Sequence, residues 1–273
     1  MLNAKAALMG IIPPHMLKEI AKKGSARQKE QAFRSLLISE KIRGSREAFG
    51  QFYVAPPMGN NKCLVVFDTK NTQELPGSMI SGPAKSKDPA VKEAYNGAQA
   101  TYDMYKSVFD RNSIDDKGMC IKSPVHYEKD YDNAFWNSAQ MVYGDGDGVL
   151  FNRFTIAIDV IGHELTHGVT EYEAGLAYQD QPGALNESMS DVFGTLVKQW
   201  TKKQTAEKAD WLIGEGLLTN KVKGRALRSM KDPGSAYDDP TLGKDPQPAT
   251  IKDYIKTKDD SGGVHLNSGI PNR

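Results

Sequence analysis

This chain is poor in cysteine and histidine and has no long apolar run. Two cysteines in 273 residues cannot supply the dense cross-linking of a small secreted scaffold. Cys63 and Cys120 leave pairing and free thiols both open; with so few, free thiols are the expectation. No apolar stretch approaches the ~18 residues that span a bilayer, so no membrane partner is expected. The amino-terminal run ALMGII is too short for the apolar core of a secretory signal, and Pro13-Pro14 breaks it. The expectation is therefore a cytoplasmic location at synthesis, with any release from the cell by another route. Repeats and low-complexity tracts are absent as well.

Charge of one sign is also missing, with a net charge of +1. Without basic and aromatic clustering, this balance argues against a nucleic-acid partner. The placement is uneven: residues 1–50 hold ten Lys/Arg against four Asp/Glu, and the remainder holds 25 against 30. Such a basic segment is either a solvated face or a piece that docks on an acidic surface of the same chain. With 39% hydrophobic and 25% charged residues, the chain can build one large domain or two smaller ones. A monomer is expected.

Three textures follow one another. In residues 13–45, Pro-Pro opens a short helix with Met16, Leu17, Ile20 and Ala21 on one face, ending at Gly24. A second helix from about Arg27 has Phe33, Leu36, Leu37 and Ile42 as its apolar stripe. These faces need something to cover. GSREAFGQ at 44–51 reads as an exposed connection. From about 52 to 158, CLVVFDT, the run around VHYEK, and AQMVYGDGDGVLF read as strands between turns, with one helix over 89–110. Beyond 158 the pattern is helical.

Of five histidines, two stand four apart in IGHELTHGVT (161–170). On a helix, His163 and His167 then share a face and can bind one zinc ion, with Glu164 beside them to take a proton from a zinc-bound water. Ile156, Ile158, Val160, Ile161 and Leu165 make this a buried helix, and buried neutral histidines need partners. A catalytic zinc takes a third protein ligand and keeps one position open. ALNESMSDVFG (184–194) offers Glu187, with Asp191 on the same face to reach a ligand histidine's second nitrogen. Leu185, Met189, Val192 and Phe193 suggest that this helix is packed too.

HELTH followed by the glutamate of ALNESMSDVFG resembles the thermolysin family of zinc metallopeptidases. NAFWNSAQMVYGDGDG (133–148), GLAYQD (175–180), ALRSM (226–230) and DSGGVHLNSG (260–269) match further family blocks in order. The basic segment with IIPPHMLKEIAKKGS is similar to the short propeptide of the protealysin-like branch. The resemblance implies an α+β fold: a helical propeptide (1–50), a β-rich N-terminal peptidase domain (51–158), then the zinc helix and a helical C-terminal domain (159–273). That last domain looks truncated, since relatives continue beyond the final block. The implied function is a neutral endopeptidase precursor acting on proteins and peptides, kept latent by its own propeptide.

The same resemblance implies roles. His163, His167 and Glu187 match zinc ligands, and Glu164 matches the general base. His265, held by Asp260, and Tyr178 match oxyanion donors. Asn186 and Asp191 match groups that orient the ligand histidines. Asn133 and Ala134 match the edge that pairs with substrate backbone, and Arg228 matches the arginine on a substrate carbonyl. Phe151, Phe154, Val160, Ile213, Leu217 and Leu227 match the lining of an apolar specificity pocket, implying cleavage before bulky hydrophobic residues. Asp159, Asp210 and Glu215 match a calcium site of the family, but Lys198 replaces one of its glutamates, so calcium is not expected there. GDGDG is read as a tight hairpin turn rather than a calcium loop. The rival reading, a zinc-stabilised binding module, has no need of Glu164, Tyr178 or His265.

Overall fold

The computed structural model describes residues 9–49 and 62–273. The chain enters as a short strand, β1 (Met9–Gly10), then α1 (Pro14–Lys23) and α2 (Ala26–Phe49). Pro14 sits in the first turn of α1, where its missing N–H has no helical partner to lose. The Gly24 N–H closes the other end on the Ile20 carbonyl at 2.8 Å. Met16, Leu17 and Ile20 are buried in the main apolar core, together with Ile11 and Ile12.

The second helix departs from expectation in two ways. Its buried positions are Gln31, Ala32, Ser35 and Ile38, while Phe33 and Leu37 face solvent at 60% and 54% exposure. Of the apolar stripe read from the sequence, Leu36 packs against the core, Phe33 and Leu37 face solvent, and the Ile42 side chain lies outside the described residues. The helix also continues through Phe49, so the connection expected from 44 does not begin there. Gly44 costs a helix interior only about 1 kcal/mol, too little by itself to end it. The expected boundary at residue 50 lies outside the described residues.

The β-rich part contains β2 (Leu64–Asp68), β3 (Ser78–Met79), α3 (Pro89–Phe109), β4 (Ile121–Val125), β5 (Ala134–Trp136) and β6 (Met141–Tyr143). β2 pairs in parallel with β4 from Leu64↔Ile121 onward. Cys63 and Cys120 immediately precede that register, so their side chains meet and form a disulfide. The expectation of free thiols was wrong, because it rested on scarcity and strand register is invisible to a count. The strand expected around VHYEK ends at Val125; His126, Glu128 and Asp130 have left-handed φ of 57°, 48° and 54°. The GDGDG stretch folds around Asp147, whose Oδ1 accepts from the N–H groups of Val149, Leu150 and Phe151. β5 is central in a second sheet, flanked by β6 and by β1, both antiparallel to it.

Helices α4 (Ile158–Glu173) and α5 (Asp180–Lys202) follow, then β7 (Leu212–Ile213), β8 (Arg228–Ser229), β9 (Asp238–Asp239), β10 (Gly243–Lys244), α6 (Asp260–Asn267) and α7 (Gly269–Asn272). The fold is α+β with a helical C-terminal part. Among the described residues no helix is long and apolar enough to cross a membrane. Leu185 and Met189 on α5 are 40% and 39% exposed, contrary to the packed face expected of them, yet Glu187 and Asp191 are fully buried.

Two facing glycines bring α4 and α5 together. A Cβ on Gly194 would lie 2.4 Å from the Asp159 carbonyl and 2.9 Å from the His163 backbone nitrogen; one on Gly162 would lie 3.0 Å from the Gly194 Cα. The close contact that results holds His163, His167 and Glu187 within range of one another. Gly194→Ala must push the helices apart, at a cost of roughly 1–3 kcal/mol. The expected outcome is a lower thermal midpoint together with weaker zinc binding by calorimetry. Unchanged zinc affinity would show that the helix spacing does not set the site.

Candidate metal and peptide-binding site

His163, His167 and Glu187 offer donor atoms that all lie within 4.8 Å of one another. His163 Nδ1 donates to Asp191 Oδ1 at 2.8 Å. His167 Nδ1 faces Asn186 Oδ1 at 2.8 Å and Ser190 Oγ at 2.9 Å. With both Nδ1 atoms engaged, the two Nε2 atoms point at the same spot, 3.0 Å apart. Each is also 3.4 Å from a Glu187 carboxylate oxygen. Two imidazoles and a carboxylate converging in a fully buried space need a shared positive charge, a proton or a metal cation. Burial alone lowers the pKa of the His163 ring, but the hydrogen-bonded Asp191 and Glu187 carboxylates outweigh it and raise the value to about 9. Two imidazoles and one carboxylate with an open side fit zinc.

Glu164 is fully buried on the same helix, with Oε2 accepting from the Trp136 N–H at 3.0 Å. Its Oε1 has no hydrogen-bond partner among the described residues. Burial raises its pKa to about 8, an effect that the Glu187 charge reinforces and the His163 ring opposes. A carboxyl group poised near neutrality, with one free oxygen, suits proton transfer.

Across the cleft, Asp260 holds His265 twice: Oδ1 takes the ring Nδ1 at 2.6 Å and Oδ2 the backbone N–H at 2.9 Å. Left-handed backbone from Asp260 to Gly263 wraps the carboxylate around this ring. Burial lowers the His265 pKa, yet Asp260 and Glu187 raise it to about 9, leaving Nε2–H a charged donor. The Tyr178 hydroxyl lies 3.3 Å from that nitrogen and donates to Glu187 Oε1. Arg228 grips Asp191 through Nε at 2.9 Å and Nη2 at 2.7 Å, and Asn272 Nδ2 donates to the same carboxylate at 2.8 Å. Asp191 therefore joins the His163 ring to the Arg228 guanidinium.

The amino-terminal segment runs through this cleft. β1 pairs with β5, Ile11 N–H donates to the Ala134 carbonyl at 3.1 Å, and Ile12 N–H donates to Asn133 Oδ1 at 3.0 Å. Arg228 Nη1 donates to the Ile11 carbonyl at 3.2 Å, and His265 Nε2 to the Gly10 carbonyl at 3.1 Å. Ile11 belongs to one buried apolar cluster with Phe151, Phe154, Val160, Ile213, Leu217 and Leu227. His163, Glu164, His167, Glu187, Asp191, Asn186, Tyr178, His265, Asp260, Arg228, Asn133 and Ala134 are joined by the contacts above, and the six apolar residues share only cluster membership with Ile11. Three contributions were not anticipated: Ser190, the Trp136 N–H and Asn272; docking of the amino-terminal segment was expected, but not its backbone contacts to His265, Arg228 and Asn133. Ser190 was detectable, because three residues after Glu187 is the same helical face.

Away from the cleft, Lys198 Nζ lies 3.3 Å from Asp159, 2.8 Å from Asp210 and 3.7 Å from Glu215. It also donates to the Leu212 carbonyl at 3.3 Å. The ammonium occupies the space between three carboxylates.

Family models match in two contiguous blocks: "Thermolysin metallopeptidase, catalytic domain" over residues 57–171 and "Thermolysin metallopeptidase, alpha-helical domain" over 174–273. An extracellular metalloprotease of Pectobacterium carotovorum subsp. carotovorum is 49% identical over 268 residues, 97% of this chain and 77% of its own length. Protease PrtS of a Photorhabdus strain is 47% identical over 97% of this chain and 73% of its own. Among solved structures, the precursor of protealysin, a metalloproteinase from Serratia proteamaculans, aligns with a TM-score of 0.87. That alignment has 55% identity and covers 97% of this chain and 78% of that one.

Asp191→Asn removes the charge that aligns His163 and neutralises Arg228. Zinc affinity is expected to fall by ~10- to 100-fold in a competition titration, and an unchanged affinity would contradict the orienting role.

Proposed function

This chain belongs to the thermolysin family of metallopeptidases, and we propose that His163, His167 and Glu187 hold its catalytic zinc ion. It is a precursor-type zinc endopeptidase, similar over nearly its whole length to the precursor of protealysin. The observation that carries the ligand assignment is the convergence of two histidine nitrogens whose other ring atoms are engaged. When bound there, zinc would supply the Lewis acidity that makes water nucleophilic near neutral pH. Glu164 takes the proton from that attacking water and delivers it to the departing amide nitrogen. His265 and Tyr178 donate to the carbonyl oxygen as it gains charge. Asn133, the Ala134 carbonyl and Arg228 align the substrate backbone as an added strand. The apolar pocket around Ile11 selects a bulky hydrophobic residue on the carboxyl side of the cut.

Residues 1 to about 50 act as a latency-conferring leader, removed by cleavage beyond the described part of α2. The support is steric: the segment around Gly10–Ile12 uses the groups a substrate backbone requires. Charge contributes less than the sequence suggested. Lys18–Asp259, Arg27–Asp130 and Arg34–Glu128 are exposed pairs, worth about 0–1 kcal/mol each. Burying Ile11, Ile12, Met16, Leu17 and Ile20 contributes ~1.5–3 kcal/mol apiece. The Pectobacterium relative is extracellular by name, which supports a site of action outside the cell.

The deciding assay is hydrolysis of a quenched peptide with leucine or phenylalanine after the scissile bond, before and after leader removal. Chelator-sensitive turnover should emerge on removal, and Glu164→Gln should depress kcat by ~100- to 10,000-fold. Equal turnover with the leader attached would refute latency. Turnover indifferent to the chelator and to Glu164→Gln would refute the site.

Lys198 replaces calcium at the Asp159, Asp210 and Glu215 cluster in our reading. Millimolar calcium should leave the thermal midpoint unmoved. Lys198→Ala, which strands the buried Asp159 charge, should cost roughly 3–5 kcal/mol, and added calcium should recover part of that loss. A midpoint in the unsubstituted chain that rises with calcium would overturn this assignment.

A further inference from the structure

We propose that Gly10–Ile11 is itself a scissile bond: the leader lies in the cleft in the direction and register of a substrate, and the zinc-loaded chain cuts it there within one molecule. The inference rests on the function proposed above and adds a cleavage site to it.

Register decides the matter. A bond is cut where its carbonyl oxygen meets the donor that will stabilise the developing charge. In this cleft that donor is His265 Nε2, 3.4 Å from Glu187, and the oxygen it meets is that of Gly10 at 3.1 Å. The residue that follows, Ile11, has its N–H on the edge strand, its carbonyl on Arg228 and its side chain fully buried. Ile12 is anchored in turn through Asn133. A slip of one residue would turn the Ile11 side chain to the opposite face, and the rigid Pro13-Pro14 pair immediately afterwards resists such a slip.

Glycine at position 10 is part of the fit. A Cβ there would come 3.1 Å from Asn133 Nδ2 and 3.2 Å from the Ala134 carbonyl, closer than such contacts normally allow, so glycine lets the leader backbone lie against the edge. Beside Gly10, Asn133, Tyr178 and His265 a cavity of about 20 Å³ remains, room for about one water molecule.

The step balances as simple hydrolysis. Water oxygen adds to the Gly10 carbonyl carbon while Glu164 accepts its proton. The Gly10–Ile11 C–N bond then breaks and the proton passes to the Ile11 nitrogen, leaving a Gly10 carboxylate and an Ile11 amine. Residues 1–10 are free to leave. Ile11, Ile12, α1 and α2 keep their contacts, so the shortened leader still fills the side of the cleft beyond the cut. This first cleavage therefore trims the leader without activating the enzyme.

Two readouts test the proposal. In the zinc-free full chain, amide hydrogen exchange should be slow at Ile11 and Ile12, whose N–H groups are bonded to Ala134 and Asn133, and faster in Gly10→Val; rapid exchange at both in the unsubstituted chain overturns the register. After zinc addition, intact mass and N-terminal sequencing should show loss of residues 1–10 and a chain beginning at Ile11. The rate should be unchanged across about a hundredfold dilution, as an intramolecular step requires. It should fall at least ~10-fold in Gly10→Val and vanish in Glu164→Gln. A chain that cuts elsewhere or hydrolyses the reporter peptide while Gly10–Ile11 stays intact overturns this inference and leaves the enzyme assignment standing. A cut whose rate scales with concentration overturns the intramolecular claim. No cleavage of any bond in the full chain overturns this inference, and a reporter that stays intact after the leader is removed overturns the enzyme reading as well.

Discussion

The close approach of α4 and α5 governs the rest of the molecule. Only because Gly162 and Gly194 carry no side chain can the two backbones come near enough for imidazoles on one helix and a carboxylate on the other to share a point in space. The remaining arrangement answers the electrostatic problem this creates. Five ionisable side chains, His163, Glu164, His167, Glu187 and Asp191, are buried together, and each needs a partner of fixed position. Asp191 binds one of the others, the His163 ring, and the Arg228 guanidinium at once. The part that holds a metal ligand and the part that holds a peptide carbonyl are thus mechanically one unit, since displacing Asp191 disturbs both.

Much of the site was legible in the sequence because its chemistry is local. Two histidines four apart on a buried helix, and a glutamate–aspartate pair four apart on the next, declare a metal face through helical geometry alone. The third ligand's partner across the fold follows from the need for one carboxylate facing two imidazoles. His265, Tyr178 and Arg228 were different: each is an unremarkable residue on its own, and only resemblance to a family singled them out. Contributions from the backbone, such as the Trp136 N–H on Glu164, leave no mark in residue identity.

The fold was less legible wherever tertiary contacts outrank local pattern. Phe33 and Leu37 make a convincing apolar stripe, but α2 buries its small residues and Ile38 instead, since the face that turns inward is set by what the helix lies against. Conversely, Leu185 and Met189 suggested a buried face and are half exposed, although Glu187 and Asp191 beside them are sealed from solvent. Cysteine number gave no hint of the pairing that the parallel register of β2 and β4 enforces. Lys198 shows a third case: only the family resemblance grouped it with Asp159, Asp210 and Glu215, residues far apart in the chain, and its ammonium group lies 3.3 Å from Asp159 and 2.8 Å from Asp210.

The leader is covalently joined to the cleft it fills, and that tether has a consequence of its own. While the chain is continuous, the leader's local concentration at the cleft is of millimolar order, far above that of most peptide substrates. Once the chain is severed beyond α2, every contact in the cleft can persist, but the leader becomes an ordinary second molecule. Its hold then depends on how much of it is present in the surroundings. On the proposed function, a confined volume keeps the cut pair together and a large one separates it by dilution alone, so one broken bond has different effects in the two.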